Sequence, residues 1–90
     1  MELGIRNKTA LVAASSKGLG RAIAEELAAE GANLILCARG EEALAQARDD
    51  LIAGGARVHA EPADLSEPGD IDRVVAEGRA AFGSIDILIT

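Results

Sequence analysis

Residues 14–20 read Ala14-Ser15-Ser16-Lys17-Gly18-Leu19-Gly20, and this is where the chain concentrates groups fit for binding an anion. Two glycines in a turn that opens a helix let the backbone approach a phosphate, whose charge then rests on the free N–H groups of the helix N-terminus. The spacing is not G-x-G-x-x-G, because the third small residue would fall on Ile23. It fits G-x-x-x-G-x-G, with Ala14 in the place of the first glycine. Ser15 and Ser16 offer hydroxyls to a phosphate or a sugar, or serve as ordinary turn residues. Two cations, Lys17 and Arg39, could add charge-assisted hydrogen bonds. Asp64 sits just past the segment Arg57–Pro62 and on its own reads as an exposed loop acid. Cys37 lies inside an apolar run with no basic neighbour in sequence, which makes it an inert core thiol. His59 has no paired ligand or nucleophile and reads as structural or surface.

These residues need a scaffold, and the hydrophobic pattern supplies one. Thr9–Ala14 is a short apolar run, a first strand. Leu19, Ile23 and Leu27 recur at helical spacing over 18–30, with Gly31 as the stop. Asn33–Ala38 is apolar without alternation, as in a parallel strand covered on both faces. Glu41–Ala53 is a second helix, with Glu41 and Glu42 at its positive end and Leu44, Ala47 and Leu51 on one side. Arg57–Pro62 is a more polar third strand, nearer a sheet edge. Ser66 is a candidate cap for a third helix with Pro68 in its first turn. Ile71, Val74, Val75, Gly78 and Phe82 follow at helical spacing, and Ile85–Ile89 is a fourth strand. The order β-α-β-α-β-α-β predicts an α/β parallel sheet. It matches the first part of a doubly wound, three-layer Rossmann-type domain. The last strand, apolar on both faces and at an edge, makes the chain look unfinished.

Composition narrows the function. Ninety residues support one small domain, and 49% hydrophobic content is that of a globular chain. A net charge of −6 argues against a nucleic-acid or anionic-membrane partner, which would need a basic face. Phe82 is the single aromatic residue, so no base-stacking platform exists. The apolar runs are far too short to span a bilayer. One cysteine makes no internal disulfide, and no metal-ligand cluster stands out. With no leader pattern, these features favour a cytoplasmic protein.

Val12 to Ala24 resembles the cofactor loop of the short-chain dehydrogenase/reductase family, T-G-x-x-x-G-[IL]-G. Three further segments resemble that family in the same order. Ala38-Arg39 matches the end of its second strand. Ala63-Asp64-Leu65 matches its D-[VL] after strand three. Phe82-Gly83-Ser84-Ile85-Asp86-Ile87-Leu88-Ile89 matches its F-G-x-[IL]-D-[IV]-L-[IV]. Ala13-Ala14 departs from Thr-Gly, and Thr90 stands where the family has the first Asn of N-N-A-G.

The resemblance implies a nicotinamide dinucleotide held by Ala14, Ser15, Ser16, Lys17, Gly18, Leu19 and Gly20 at the phosphates. Ala38 and Arg39 would lie at the adenosine ribose, Asp64 and Leu65 at the adenine, and Thr90 would complete the set. An acid at the end of strand two would accept hydrogen bonds from a ribose 2′-OH. Ala38 cannot, while Lys17 and Arg39 both suit a 2′-phosphate, so NADP(H) is expected over NAD(H). The implied reaction is hydride transfer between the nicotinamide and a carbonyl or alcohol substrate, in the manner of 3-oxoacyl-carrier-protein reductases, in a homo-oligomer. The family's Ser, Tyr and Lys would lie beyond these residues. The chain contains no Tyr, so no catalytic residue is named and the ninety residues alone are expected to be inactive. Two other readings stay open. One is a non-catalytic dinucleotide-binding module; the other is a truncated chain that assembles with another chain through its open strand.

Overall fold

The computed structural model describes residues 4–14 and 18–90. Four strands and three helices alternate: β1 (Thr9–Ala13), α1 (Gly18–Ala29), β2 (Asn33–Ala38), α2 (Glu41–Ala53), β3 (Val58–Pro62), α3 (Pro68–Phe82) and β4 (Ile87–Ile89). The sheet is parallel, in the order β3-β2-β1-β4. β3 and β4 flank this sheet, and the polarity of β3 agrees with its place. The order runs outward from β1 through β2 to β3, then returns to the other side of β1 for β4.

The core has two halves because alternate residues of a strand face opposite ways. Ala10, Val12, Leu34, Leu36 and Ala38 pack with Ala24 of α1 and with Leu44, Ala47 and Leu51 of α2. Leu11, Ile35 and Cys37 face the other layer, where Val74 packs against them with Ile71, Val75 and Phe82 at its margin. Helix, sheet and helix thus form the three layers. All six residues of β2 are buried, which explains its lack of alternation. Asn33 is polar and buried, and it is satisfied. Its amide donates to the Asn7 carbonyl and to Thr9 Oγ1, and its oxygen accepts from Arg57 Nε at 3.1 Å.

Three details depart from the periodicity. Leu19 is 77% exposed and does not join the apolar face of α1, which is carried by Ala24, Leu27 and Ala28. It sits in the first turn, where the helix emerges from the sheet ends. Ser66 does not cap α3: the N-cap is Glu67, with no side-chain capping bond, because Ser66 turns back to Asp64. β4 starts at Ile87 rather than Ile85. Asp86 is occupied at the foot of the sheet, where its Oδ2 accepts from Thr9 N–H at 2.9 Å and its own N–H donates to the Thr9 carbonyl at 2.8 Å.

Three backbone positions constrain the turn and the helix packing. Ala14 has φ +52° and Gly18 φ +64°. Glycine adopts this left-handed region freely, while an alanine there is strained by about 1–2 kcal/mol. Gly78 lies where α3 crosses β2, and a Cβ on it would fall 2.3 Å from Ile35 Cδ1 and 3.1 Å from Ile35 Cγ1.

Ala14→Gly is therefore expected to stabilise the fold by about 0.5–1 kcal/mol, the relieved strain less the greater freedom glycine gives the unfolded chain. Denaturant unfolding measures it, and a loss of stability contradicts the strain. Gly78→Ala is expected to destabilise by about 1–2 kcal/mol, the cost of overpacking less the gain in helix propensity. Ile35→Val removes the clashing methyl. The double variant should be more stable than the sum of the two changes by at least about 0.5 kcal/mol. Strict additivity contradicts the contact.

Candidate cofactor site

β1, β2 and β3 all end on the same side of the sheet, and each ends on a small residue: Ala14 follows β1, Ala38 closes β2, and Ala63 follows β3. With Gly40 and Ala43 at the start of α2, they leave room for an open cleft of about 490 Å³, whose remaining walls are Arg39, Asp64, Leu65 and Ser66. Crevices outside the carboxyl ends of parallel strands are where open α/β sheets bind ligands. A largely apolar cleft with a few polar groups at its rim has the form of a small-molecule site.

The wall beyond β3 is fixed by hydrogen bonds. Ala63 N–H donates to the Ala38 carbonyl at 3.0 Å, extending the β2–β3 ladder into the loop. Asp64 N–H donates to Asp70 Oδ2 of α3 at 2.8 Å. Asp64 Oδ1 accepts from both the N–H and the Oγ of Ser66, at 2.9 and 2.6 Å. These bonds favour the charged form, so the Ser66 donors hold the Asp64 carboxyl below its usual range, with Arg39 assisting. Asp64 is therefore an anion at neutral pH. Arg73 braces the loop from below. It donates to the Pro62 carbonyl at 3.1 Å and pairs with Glu61 and Asp70. His59 is spent on the same network, with Nε2 3.1 Å from Glu61 Oε1.

Among the described residues, Arg39 is the cation that lines the cleft. Its side chain is 79% exposed, and its ion-pair partner is Asp64, with Nη1 4.0 Å from Oδ2. Cys37 lies beneath the floor, fully buried. Desolvation raises its pKa, against the opposing effect of the Ala14 N–H, so it is a protonated, inert thiol at neutral pH. Among the described residues, no group of three or more His, Cys, Asp or Glu is placed to hold a metal ion. No described helix is long and apolar enough to cross a membrane.

The structure brings together Ala14, Ala38, Arg39, Asp64 and Leu65 from the residues singled out in sequence. Gly18 and Gly20 stand in the first turn of α1, and Leu19 projects from that turn. Ser15, Ser16 and Lys17 lie outside the described residues. Thr90 follows β4, on the far side of β1, and does not line the cleft. Sequence reasoning passed over Gly40, Ala43 and Ser66. The D-x-S spacing of Asp64 and Ser66 is a signal for a side-chain-to-backbone turn and could have marked Ser66. Nothing local marks Gly40 or Ala43, which line the cleft by being small.

The short chain dehydrogenase family model matches residues 8–90. The chain is 41% identical over 87 residues to the 3-oxoacyl-[acyl-carrier-protein] reductase FabG of Escherichia coli, covering 97% of this chain and 34% of that protein. It is 42% identical over 80 residues to a putative ketoacyl reductase of granaticin polyketide synthesis from Streptomyces violaceoruber, covering 89% of this chain and 29% of that one. L-sorbose reductase from Gluconobacter frateurii, solved with NADPH and L-sorbose, superposes with a TM-score of 0.94 at 42% identity, over 98% of this chain and 34% of that one. A short chain dehydrogenase/reductase from Burkholderia phymatum, solved with NAD, superposes at 0.92 with 33% identity, over 93% and 30%. The chain thus spans about a third of the length of these relatives. The fold agrees with the match across almost all of the ninety residues, and the chain belongs to the short-chain dehydrogenase/reductase family.

Proposed function

We propose that this chain is the NADP(H)-binding segment of an oxidoreductase that transfers hydride between the nicotinamide and a carbonyl or alcohol substrate, in the manner of 3-oxoacyl-carrier-protein reductases. The observation that carries the cofactor preference is the pairing of Ala38 with Arg39 at the end of β2. The ribose side of the cleft has no carboxylate at that position to accept from a 2′-OH, and beside it stands an exposed guanidinium. Such a group recognises a phosphate by a bidentate fork. Lys17 adds a second cation by its place in the sequence. Ala14, Gly18, Leu19 and Gly20, with Ser15 and Ser16, are assigned to the phosphates, Asp64 and Leu65 to the adenine, and Thr90 to the region beyond β4. When bound, the cofactor supplies the hydride. The chain's own residues hold its adenosine end and leave the nicotinamide end to the side of β4. The compartment assigned is the cytoplasm.

A second reading is favoured by one observation. Leu88, in edge strand β4, is 61% exposed, and an apolar edge strand is a template for pairing with another chain. The ninety residues by themselves are therefore assigned a tendency to associate through this edge. Proton donation to a developing alkoxide needs an acid near the substrate. The chain has no Tyr to supply it, and His59 is engaged with Glu61.

Isothermal titration is expected to give tighter binding of NADPH than NADH, and equal or reversed affinities refute the assignment. Arg39→Ala should weaken NADPH by about 1.5–3 kcal/mol, the worth of a hydrogen bond to a charged group, and leave NADH nearly unchanged. The ninety-residue chain is also expected to show no NADPH oxidation with carbonyl substrates and to self-associate in light scattering. Turnover by the purified chain, or a stable monomer at about the tens-of-micromolar concentrations where such species aggregate, contradicts this.

A further inference from the structure

Arg39 does not stand alone in the cleft. Its nearest charged partner is Asp64, 4.0 Å away across the opening between the ends of β2 and β3. The two oxygens of that carboxylate are used differently. Oδ1 is engaged by the N–H and Oγ of Ser66, and these bonds, with the Asp64 N–H held by Asp70, fix where the carboxylate sits. Oδ2 is left toward Arg39. The Asp64 side chain is 37% exposed and the Arg39 side chain 79%, so the acid is the held member of the pair and the guanidinium the exposed one. Both line the same cleft.

We propose that Asp64 is a specificity-determining residue, a fixed counter-ion to Arg39 that limits how strongly the cleft favours a 2′-phosphorylated dinucleotide over the unphosphorylated one. The proposal rests on the reading of the cleft as the adenosine end of a dinucleotide site. A 2′-phosphate near Arg39 must compete with the carboxylate for the guanidinium and is itself repelled by a negative charge at the same opening. A ribose 2′-OH meets neither cost. The acid therefore weakens phosphorylated cofactor selectively, and the balance between Arg39 and Asp64 sets the ratio of the two affinities. Any contact of Asp64 with the adenine is common to both cofactors and cancels in that ratio.

The test is a double-mutant cycle read as the NADPH:NADH affinity ratio, measured by titration calorimetry on the whole chain. Asp64→Asn keeps an oxygen to accept from Ser66 and removes the charge; Asp64→Ser is a second uncharged replacement. Circular dichroism checks that each is folded. Both should raise the ratio by about three- to five-fold, the scale of an exposed charge pair, even if each cofactor binds more weakly in absolute terms. In an Arg39→Ala background the gain should largely disappear. A ratio that Asp64→Asn and Asp64→Ser leave unchanged or lower overturns the proposal, as does an equal gain with and without Arg39. Failure of the underlying reading looks different: neither cofactor binds the wild-type chain, or Arg39→Ala leaves the ratio where it was, and the proposal falls with it.

Discussion

The burial of β2 is the constraint on which the rest depends. Its six residues are shielded from solvent, with Leu34 and Leu36 packed toward α1 and α2 and Ile35 and Cys37 toward α3. Each large side chain buried there contributes roughly 1.5–3 kcal/mol, and both helical layers take their position from it. Gly78 shows how closely. Helix α3 lies so near β2 that its contact residue carries no side chain, and Ile35 fills the space. Because β2 is held from both faces, the residues at its carboxyl end, Ala38 and Arg39, are placed by the core rather than by a loop of their own.

The cleft follows from what those strand ends lack. Ala14, Ala38 and Ala63 each stop at Cβ, and Gly40 adds nothing, so the ends of β1, β2 and β3 leave a hollow where larger side chains would fill it. The polar groups stand around it, not in it. Arg39 comes from the exit of β2, while Asp64 and Ser66 come from a loop tied to α3 through Asp70 and Arg73. A rigid floor and a hydrogen-bonded wall together leave the exposed guanidinium as the adaptable part of the site.

Much of this was legible in the residues. The unalternating NLILCA segment announced a two-sided strand, and the Leu44, Ala47 and Leu51 stripe is the buried face of α2. What escaped was decided by packing and by side-chain contacts that the hydrophobic pattern does not carry. Leu19 has the right spacing for a buried stripe but sits too near the helix start to reach the sheet layer. Ser66 has the right chemistry for a cap, but Asp64 lies two residues away and offers it a charged acceptor. Ile85 and Asp86 read as strand, and the strand begins later because Asp86 is held by Thr9. The cleft was legible only through its motifs. That Gly40 and Ala43 line it depends on the meeting of three strand ends, which no local pattern encodes.

The Asp86–Thr9 bonds have a kinetic consequence. They join residues 77 positions apart, and the β1–β4 ladder that they open pairs Ala10–Val12 with Ile87–Ile89. β1 and β2 are separated by one short helix and can pair once the chain has reached Ala38, whereas the other side of β1 must wait until everything through α3 has been made. Loop closure costs grow slowly with length, but non-local pairings are the slow steps of folding. β1 is therefore an edge strand until α3 has been made. Its second ladder forms over a cleft whose floor is already in place.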